Sequence, residues 1–242
     1  MFFYATDFTA MLNFIKKHSL DDIYSLESQK HPELIKKLCA VQPADFGLNA
    51  DDERALPGER CHMQSGWFRK MLGRYLAAGL CCKQAPALEL CSGLGWGAYI
   101  LSRYASHVTC LELDNDIRTR AEKFWKCDTI EWKTGDALCC EQIFEHKHFA
   151  LISFMEAIEH FNCDDGFRML KAIHSLLQPG GILVMSSYFP STRADADRLC
   201  AKNDHHLYIF TQQEILAICK VLFSDIFILD NMLLVATKHS ET

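Results

Sequence analysis

The sequence predicts an α/β fold: a mostly parallel sheet wound on both faces by helices, preceded by a helical extension. Three observations predict it. Apolar runs of strand length alternate with helix-period segments from residue 86 to residue 220. The stretch Ala87-Leu88-Glu89-Leu90-Cys91-Ser92-Gly93-Leu94-Gly95-Trp96-Gly97-Ala98 passes from an apolar strand through glycines into a helix. Two further apolar runs, Ser224 to Leu229 and Met232 to Thr237, are joined by Asp230-Asn231, residues that favour a tight hairpin and so an antiparallel last strand.

Residues 1–41 read as helical. Phe8, Met11, Leu12 and Ile15 recur at helical spacing, and His31-Pro32-Glu33 is a helix start with Leu34, Ile35, Leu38 and Cys39 on one face. Residues 42–60, with Pro43, Gly47, Pro57 and Gly58, read as a loop. The boundary therefore falls at residue 60. Residues 1–60 form a helical extension, either a cap over a ligand cleft or an arm for packing or dimerisation, and residues 61–242 form the main domain. Residues 61–80 read as a helix with an apolar stripe of Trp67, Met71, Leu72, Tyr75 and Leu76. Arg60, His62 and Trp67 are candidates to overhang the cleft, with packing the plainer role for Trp67.

Strand 86–91 then leads to helix 97–104, and strand 107–112 to helix 115–126. Strand 129–134 leads to an acidic turn, and strand 148–154 to helix 163–177. Strand 180–188 leads through a polar connection over 190–204 to helix 211–220.

Composition narrows the function. Hydrophobic content of 49% supports a globular core. A net charge of −6 without a long basic run weighs against a large nucleic acid partner, which needs Lys and Arg to neutralise phosphates. No apolar run is long enough to span a membrane. Asp7 interrupts the apolar start and no basic segment precedes it, so no signal peptide is read and a cytoplasmic location is expected. Twelve cysteines without any C-x-x-C read as reduced, mostly buried thiols rather than zinc ligands.

Gly93 and Gly95 lack a Cβ, so the backbone there can turn tightly and approach a ligand closely. The helix that follows opens with free N–H groups. This is the signal of a nucleotide-type cofactor. Gly93-x-Gly95-x-x-Ala98 also satisfies the loose dinucleotide fingerprint, so an NAD-dependent oxidoreductase stands as an alternative. Against it, no Tyr-x-x-x-Lys is found: Tyr99 and Tyr104 are followed four residues later by Arg103 and Val108.

Five stretches in order, Leu88 to Gly95, Val108 to Glu112, Gly135-Asp136-Ala137, Phe149 to His160 and Leu177-Gln178-Pro179-Gly180-Gly181, together resemble the class I S-adenosylmethionine-dependent methyltransferases over residues 57–238. The resemblance implies a Rossmann-like, doubly wound sheet of seven strands, the last reversed, with S-adenosylmethionine as cofactor. It implies that Glu112 accepts from the ribose hydroxyls, with Leu113 beside it, and that Asp136 and Ala137 contact the adenine. It implies that Glu89, Cys91, Gly93, Gly95 and Met155 hold the loop and the methionine end. Cys91 departs from the frequent glycine and would be strained at positive φ. Plainer readings stand beside these: a strand-end acid for Glu112 and a turn residue for Asp136.

On a helical turn, Glu156, Glu159 and His160 fall at i, i+3 and i+4, on one side. Three readings compete. The trio is structural; or His160 is a general base; or the trio holds a divalent metal, as the likeness to E-x-x-E-H stretches of ubiquinone-pathway and small-RNA O-methyltransferases implies. His206 is a second candidate base, in a run to Glu214 that resembles a segment near the acceptor pocket, and Tyr188 is a candidate pocket residue. Thr211 with Glu214 makes a capping box, which accounts for those two alone. The expected activity is methyl transfer to a small-molecule or sugar-linked acceptor, leaning towards oxygen because a hydroxyl wants a base. A catalytically silent partner subunit and a polyamine synthase compete with it; the synthase would need an acidic amine-binding stretch that is not seen. A homodimer is open.

Overall fold

A computed structural model of the chain describes residues 8–47 and 66–240. Arg60 and His62 lie outside the described residues, as does most of the loop expected over 42–60. Three helices come first: α1 (Phe8–Lys17), α2 (Leu20–Lys30) and α3 (Pro32–Ala40), then a 3-10 turn over Pro43–Phe46. The long helix α4 (Gly66–Cys82) leads into β1 (Pro86–Leu90). Then follow α5 (Trp96–Leu101), β2 (His107–Glu112), α6 (Asn115–Trp125) and β3 (Ile130–Thr134). After the short α7 (Cys140–Ile143) come β4 (Phe149–Met155), α8 (Cys163–Leu176) and β5 (Leu177–Ser186). The chain closes with α9 (Arg193–Cys200), α10 (Gln212–Leu222), β6 (Ile226–Leu229) and β7 (Leu233–Thr237).

The seven strands form one sheet in the order β3-β2-β1-β4-β5-β7-β6. β1 pairs in parallel with β2 and β4, and β4 with β5, while β7 runs antiparallel to both β5 and β6. The expected hairpin is present. Asp230 and Asn231 are both left-handed, with φ of 50° and 55°, and the Met232 N–H donates to the Leu229 carbonyl at 2.9 Å. Paired left-handed residues match the strand twist, which is why Asp and Asn suit them. The reversed strand is not at the rim but second from it.

Alternation along the strands divides the core. Ala87, Val108, Cys110, Leu151, Val184 and Val235 face one apolar layer, with α1–α6. Leu88, Leu90, Leu111, Ile152, Phe154 and Leu234 face the other, with α8 and α10. The N-terminal helices share the first layer, since Ile15, Leu20, Ile23 and Leu38 are fully buried in it. A Cβ at Gly73 of α4 would stand 2.3 Å from the Leu20 carbonyl oxygen, so α2 and α4 cross at backbone contact there. Asp230 of the hairpin also accepts from the Leu20 N–H at 3.1 Å, tying the start of α2 to the sheet.

Two local expectations are corrected. The polar connection over 190–204 contains α9, capped by Thr192, whose side chain accepts from the Asp195 N–H. Only Ala196 of that helix is buried, so there was no apolar stripe to announce it. Among the described residues ten cysteines are free as expected, but Cys39 is disulfide-bonded. Among the described residues no helix is long and apolar enough to cross a membrane.

Candidate active site

The site begins where β1 ends. Cys91, Gly93 and Gly95 take φ of 56°, 51° and 72°, three left-handed residues within five. Gly95 is obligatory on two counts: its φ, and the Trp132 ring 2.4 Å from where a Cβ would stand. Cys91 does carry the positive φ, a conformation that costs a residue with a side chain about 1–2 kcal/mol. Burial pushes its thiol well up, so it stays protonated. The Trp125 indole N–H holds the loop from outside, donating to the Leu94 carbonyl at 2.7 Å.

Glu112, at the end of β2, stitches this loop to its own strand. One carboxylate oxygen accepts from the Gly93 N–H at 2.7 Å and the other from the Asp114 N–H at 3.1 Å. Each oxygen keeps a lone pair for a further donor. Leu113 beside it is 69% exposed. Asp136 is exposed and accepts from the Leu138 N–H at 2.9 Å, and Ala137 behind it is buried.

Glu89 is buried under α5, against Gly97, whose Cβ would lie 2.3 Å from its oxygen. Burial pushes its carboxyl up to about 8; the Tyr75 hydroxyl and the Ala98 amide pull it partly back. Neither oxygen closes a hydrogen bond of good geometry within the protein. Ser92 Oγ is likewise buried without a hydrogen-bond partner. A Cβ at Gly93 would meet nothing within 4 Å, so space is open above the loop.

That space is a cavity of about 280 Å³. It is lined by Cys91 to Leu94 with Trp96, by Trp67, Met71, Arg74 and Tyr75 of α4, and by Met155, Glu156, Glu159 and His160 with Ser186 and His206. Trp67 therefore lines the cleft as well as packing. No residue of α1–α3 reaches it. Glu89, Glu112, Leu113, Asp136, Ala137 and Tyr188 stand outside its lining.

Glu156 is left-handed, φ 47°, and is latched on three sides. Its N–H donates to the Ser186 carbonyl at 2.9 Å, the Ser186 hydroxyl donates to its carboxylate at 2.8 Å, and the Arg74 guanidinium pairs with the same oxygen. The 3-10 turn spans only Ile158–His160, so the three residues do not share a helix face as their spacing suggested. Instead Glu159, His160 and His206 bring ligand-capable atoms within 4.8 Å of one another, without Glu156. The two histidine rings are 5.3 Å apart.

Backbone bonds hold that cluster. The N–H groups of Leu207 and Tyr208 both donate to the Glu159 carbonyl, at 2.8 and 3.3 Å. His160 Nδ1 lies 3.0 Å from the His205 carbonyl. A carbonyl only accepts, so Nδ1 carries the proton and Nε2 is left basic. The Glu159 carboxyl is buried, with one oxygen lacking a hydrogen-bond partner. Burial, then the Glu156 charge, pushes it up to about 8.

The sequence reading gave Arg74 no role. Its signal was a cation inside the apolar run Met71-Leu72-Gly73-Arg74-Tyr75-Leu76, which buried needs an acid to meet it.

Residues 87–181 match the model of a methyltransferase domain family. No curated protein matches the chain in sequence. Among solved structures, the chain is similar to a putative methyltransferase from Bacillus halodurans C-125, at 14% identity over 70% of this chain and 99% of that one, with a TM-score of 0.60. It is similar to the N-methyltransferase NodS from Bradyrhizobium japonicum WM9, at 18% identity over 74% of this chain and 99% of that one, TM-score 0.57. An O-methyltransferase family protein from Burkholderia thailandensis aligns at 12% identity over 92% of this chain and 72% of that one, TM-score 0.61.

Proposed function

We propose that the chain, which over residues 87–181 matches a methyltransferase domain family, moves a methyl group from S-adenosylmethionine to a hydroxyl of a small-molecule or sugar-linked acceptor. The cofactor supplies a methyl already activated on a sulfonium. The residues present fit it: an unsatisfied buried acid at Glu89, open space over Gly93, and spare lone pairs on Glu112. Glu112 and Leu113 would hold the ribose side, Asp136 and Ala137 the adenine, and Glu89, Cys91, Gly93, Gly95 and Met155 the methionine end.

The protein's task is then to align the acceptor for in-line attack and to keep water out. Alignment alone can supply about 7–11 kcal/mol of barrier reduction. Trp67, Met71 and Trp96 give the acceptor an apolar wall. A hydroxyl must also lose a proton, and a positioned base contributes about 10²- to 10⁴-fold. The observation that carries the oxygen assignment is His160, oriented through Nδ1 by the His205 carbonyl so that Nε2 is basic. His206 stands beside it as the second candidate. The solved neighbours include both N- and O-methyltransferases, so likeness does not choose between them.

A second reading rests on the same cluster. Glu159, His160 and His206 within 4.8 Å, one of them with an unsatisfied buried oxygen, have the donor chemistry for a divalent cation that would bind the acceptor hydroxyl directly. Calorimetry separates the readings in order. S-adenosylhomocysteine is expected to bind the wild type with about micromolar affinity, weakened by about 1–3 kcal/mol in Glu112→Ala through loss of charge-assisted hydrogen bonds. Absence of binding, or binding of NAD instead, sinks the methyltransferase reading for this chain. Titration with Mg²⁺, Mn²⁺ or Zn²⁺ then decides whether the histidines act as base or ligands.

A further inference from the structure

A second concavity, sharing no lining residue with the cavity above, lies between the start of α3 and the end of α5. It encloses about 540 Å³. Its centre is the buried ring of Tyr99. Lys37 Nζ sits 4.2 Å from that ring's centroid and the Arg103 guanidinium carbon 4.4 Å from the same centroid. Neither cation has an ion pair with a carboxylate among the described residues. Lys30 and His31 stand at the rim.

Three features single out this concavity, whose two cations are exposed. First, two like charges are brought to one aromatic ring. Each is drawn to the ring face, and they repel each other. Second, the nearest buried acid is already committed. Glu27 takes the Lys30 ammonium at 2.5 Å and the Tyr104 hydroxyl at 2.9 Å, which leaves Glu33 as the one acid at the rim. Third, α3 starts here with no side-chain cap: His31 makes none, and His31 to Leu34 line the concavity. Pro32 has no N–H, so the free first-turn amides are those of Glu33 and Leu34, residues that line the same concavity as the two cations.

We propose that this concavity is an accessory anion site that takes a phosphoryl group, free or borne by a small molecule, between Lys37, Arg103 and the start of α3. A doubly charged, many-oxygened group matches it better than a carboxylate. The guanidinium fork can engage two oxygens and the ammonium a third. The site is wired to the glycine loop by contact. Tyr99 stacks on Trp125 with centroids 4.6 Å apart, and Trp125 holds the Leu94 carbonyl. Of the four tryptophans, Trp125 is the one stacked on Tyr99, so a change in total emission on binding is expected to arise there.

The test titrates the full chain with inorganic phosphate and with pyrophosphate at fixed ionic strength, read by calorimetry and tryptophan emission. Sodium chloride and sodium acetate serve as controls. Wild type is expected to bind in the sub-millimolar range. Arg103→Gln and Lys37→Gln each weaken binding by roughly tenfold and the double variant abolishes it. All three variants keep wild-type affinity for S-adenosylhomocysteine within about twofold, which shows that they are folded. Acetate matching phosphate, variants titrating like the wild type, or wild type failing to bind would each overturn the proposal. None of these outcomes bears on the methyl transfer assigned to the other cavity.

Discussion

Arg74 on α4 and Glu156 at the end of β4 are 82 residues apart in sequence and ion-paired across the wall of the cavity. The guanidinium is buried, the carboxylate half-exposed. The pair is therefore unequal. Removing the carboxylate strands a charge that water cannot reach, while removing both charges does not. Glu156→Gln is expected to lower stability by about 2–4 kcal/mol, and the double variant Arg74→Met/Glu156→Gln to recover most of that loss. Chemical denaturation of the three proteins checks it; a single variant within 0.5 kcal/mol or so of wild type would show that the pair does not fasten α4.

The unliganded protein should lose stability as pH rises through neutrality. Glu89 and Glu159 are held up to about 8 by burial, against an ordinary 4.5. A carboxyl raised in this way keeps its proton in the folded chain after the unfolded chain has released it. Its favourable contribution is complete below 4.5 and is lost as pH climbs towards about 8. Glu89→Gln removes one such group, so the variant should be more stable than its parent at about pH 8, by on the order of 1–3 kcal/mol, and its melting point should vary less with pH. An unchanged slope would mean that other groups carry the dependence.

His160→Gln is expected to cut turnover by about 10²- to 10⁴-fold while leaving S-adenosylhomocysteine affinity intact. Methyl transfer from labelled cofactor gives the first number and calorimetry the second. Equal losses in both would assign His160 to cofactor binding or to structure instead.

Two glycines, Gly93 of the loop and Gly97 in the first turn of α5, should fail differently. A Cβ at Gly97 meets the Tyr75 ring at 2.1 Å and Glu89 at 2.3 Å, so Gly97→Ala should destabilise by about 1–3 kcal/mol or more. A Cβ at Gly93 meets nothing, and Gly93→Ala bears only its positive φ, about 1–2 kcal/mol. That variant should stay folded yet bind S-adenosylhomocysteine at least tenfold more weakly, because the methyl stands in the ligand's space. Unimpaired binding would move the cofactor away from the loop.

The parts of the molecule that were legible in the sequence are those whose cause is local. Alternating periods located the strands, and Asp230-Asn231 announced a hairpin because the left-handed conformation they adopt is a property of two residues. The glycine loop was visible for the same reason. What was not legible depends on partners far along the chain. Asp230-Asn231 does not say that β7 enters between β5 and β6, and the spacing of Glu156, Glu159 and His160 does not say that Arg74 claims the first of them. The place of His206 beside His160 needed Glu159, 47 residues earlier, to anchor the neighbouring Leu207. Helix α9 stayed hidden because almost none of it is buried.

The place of β7 bears on how the chain is made. β5 ends at Ser186, yet its far edge is covered by Leu233–Thr237, synthesised some fifty residues later. At about 5–20 residues per second the ribosome leaves that apolar edge bare for about 2–10 s. For that interval Ile182, Val184 and their neighbours display open backbone groups to any other nascent strand. Birth, rather than later wear, is when this protein is most exposed to aggregation, and its yield in cells should follow chaperone supply and translation speed more closely than its melting temperature.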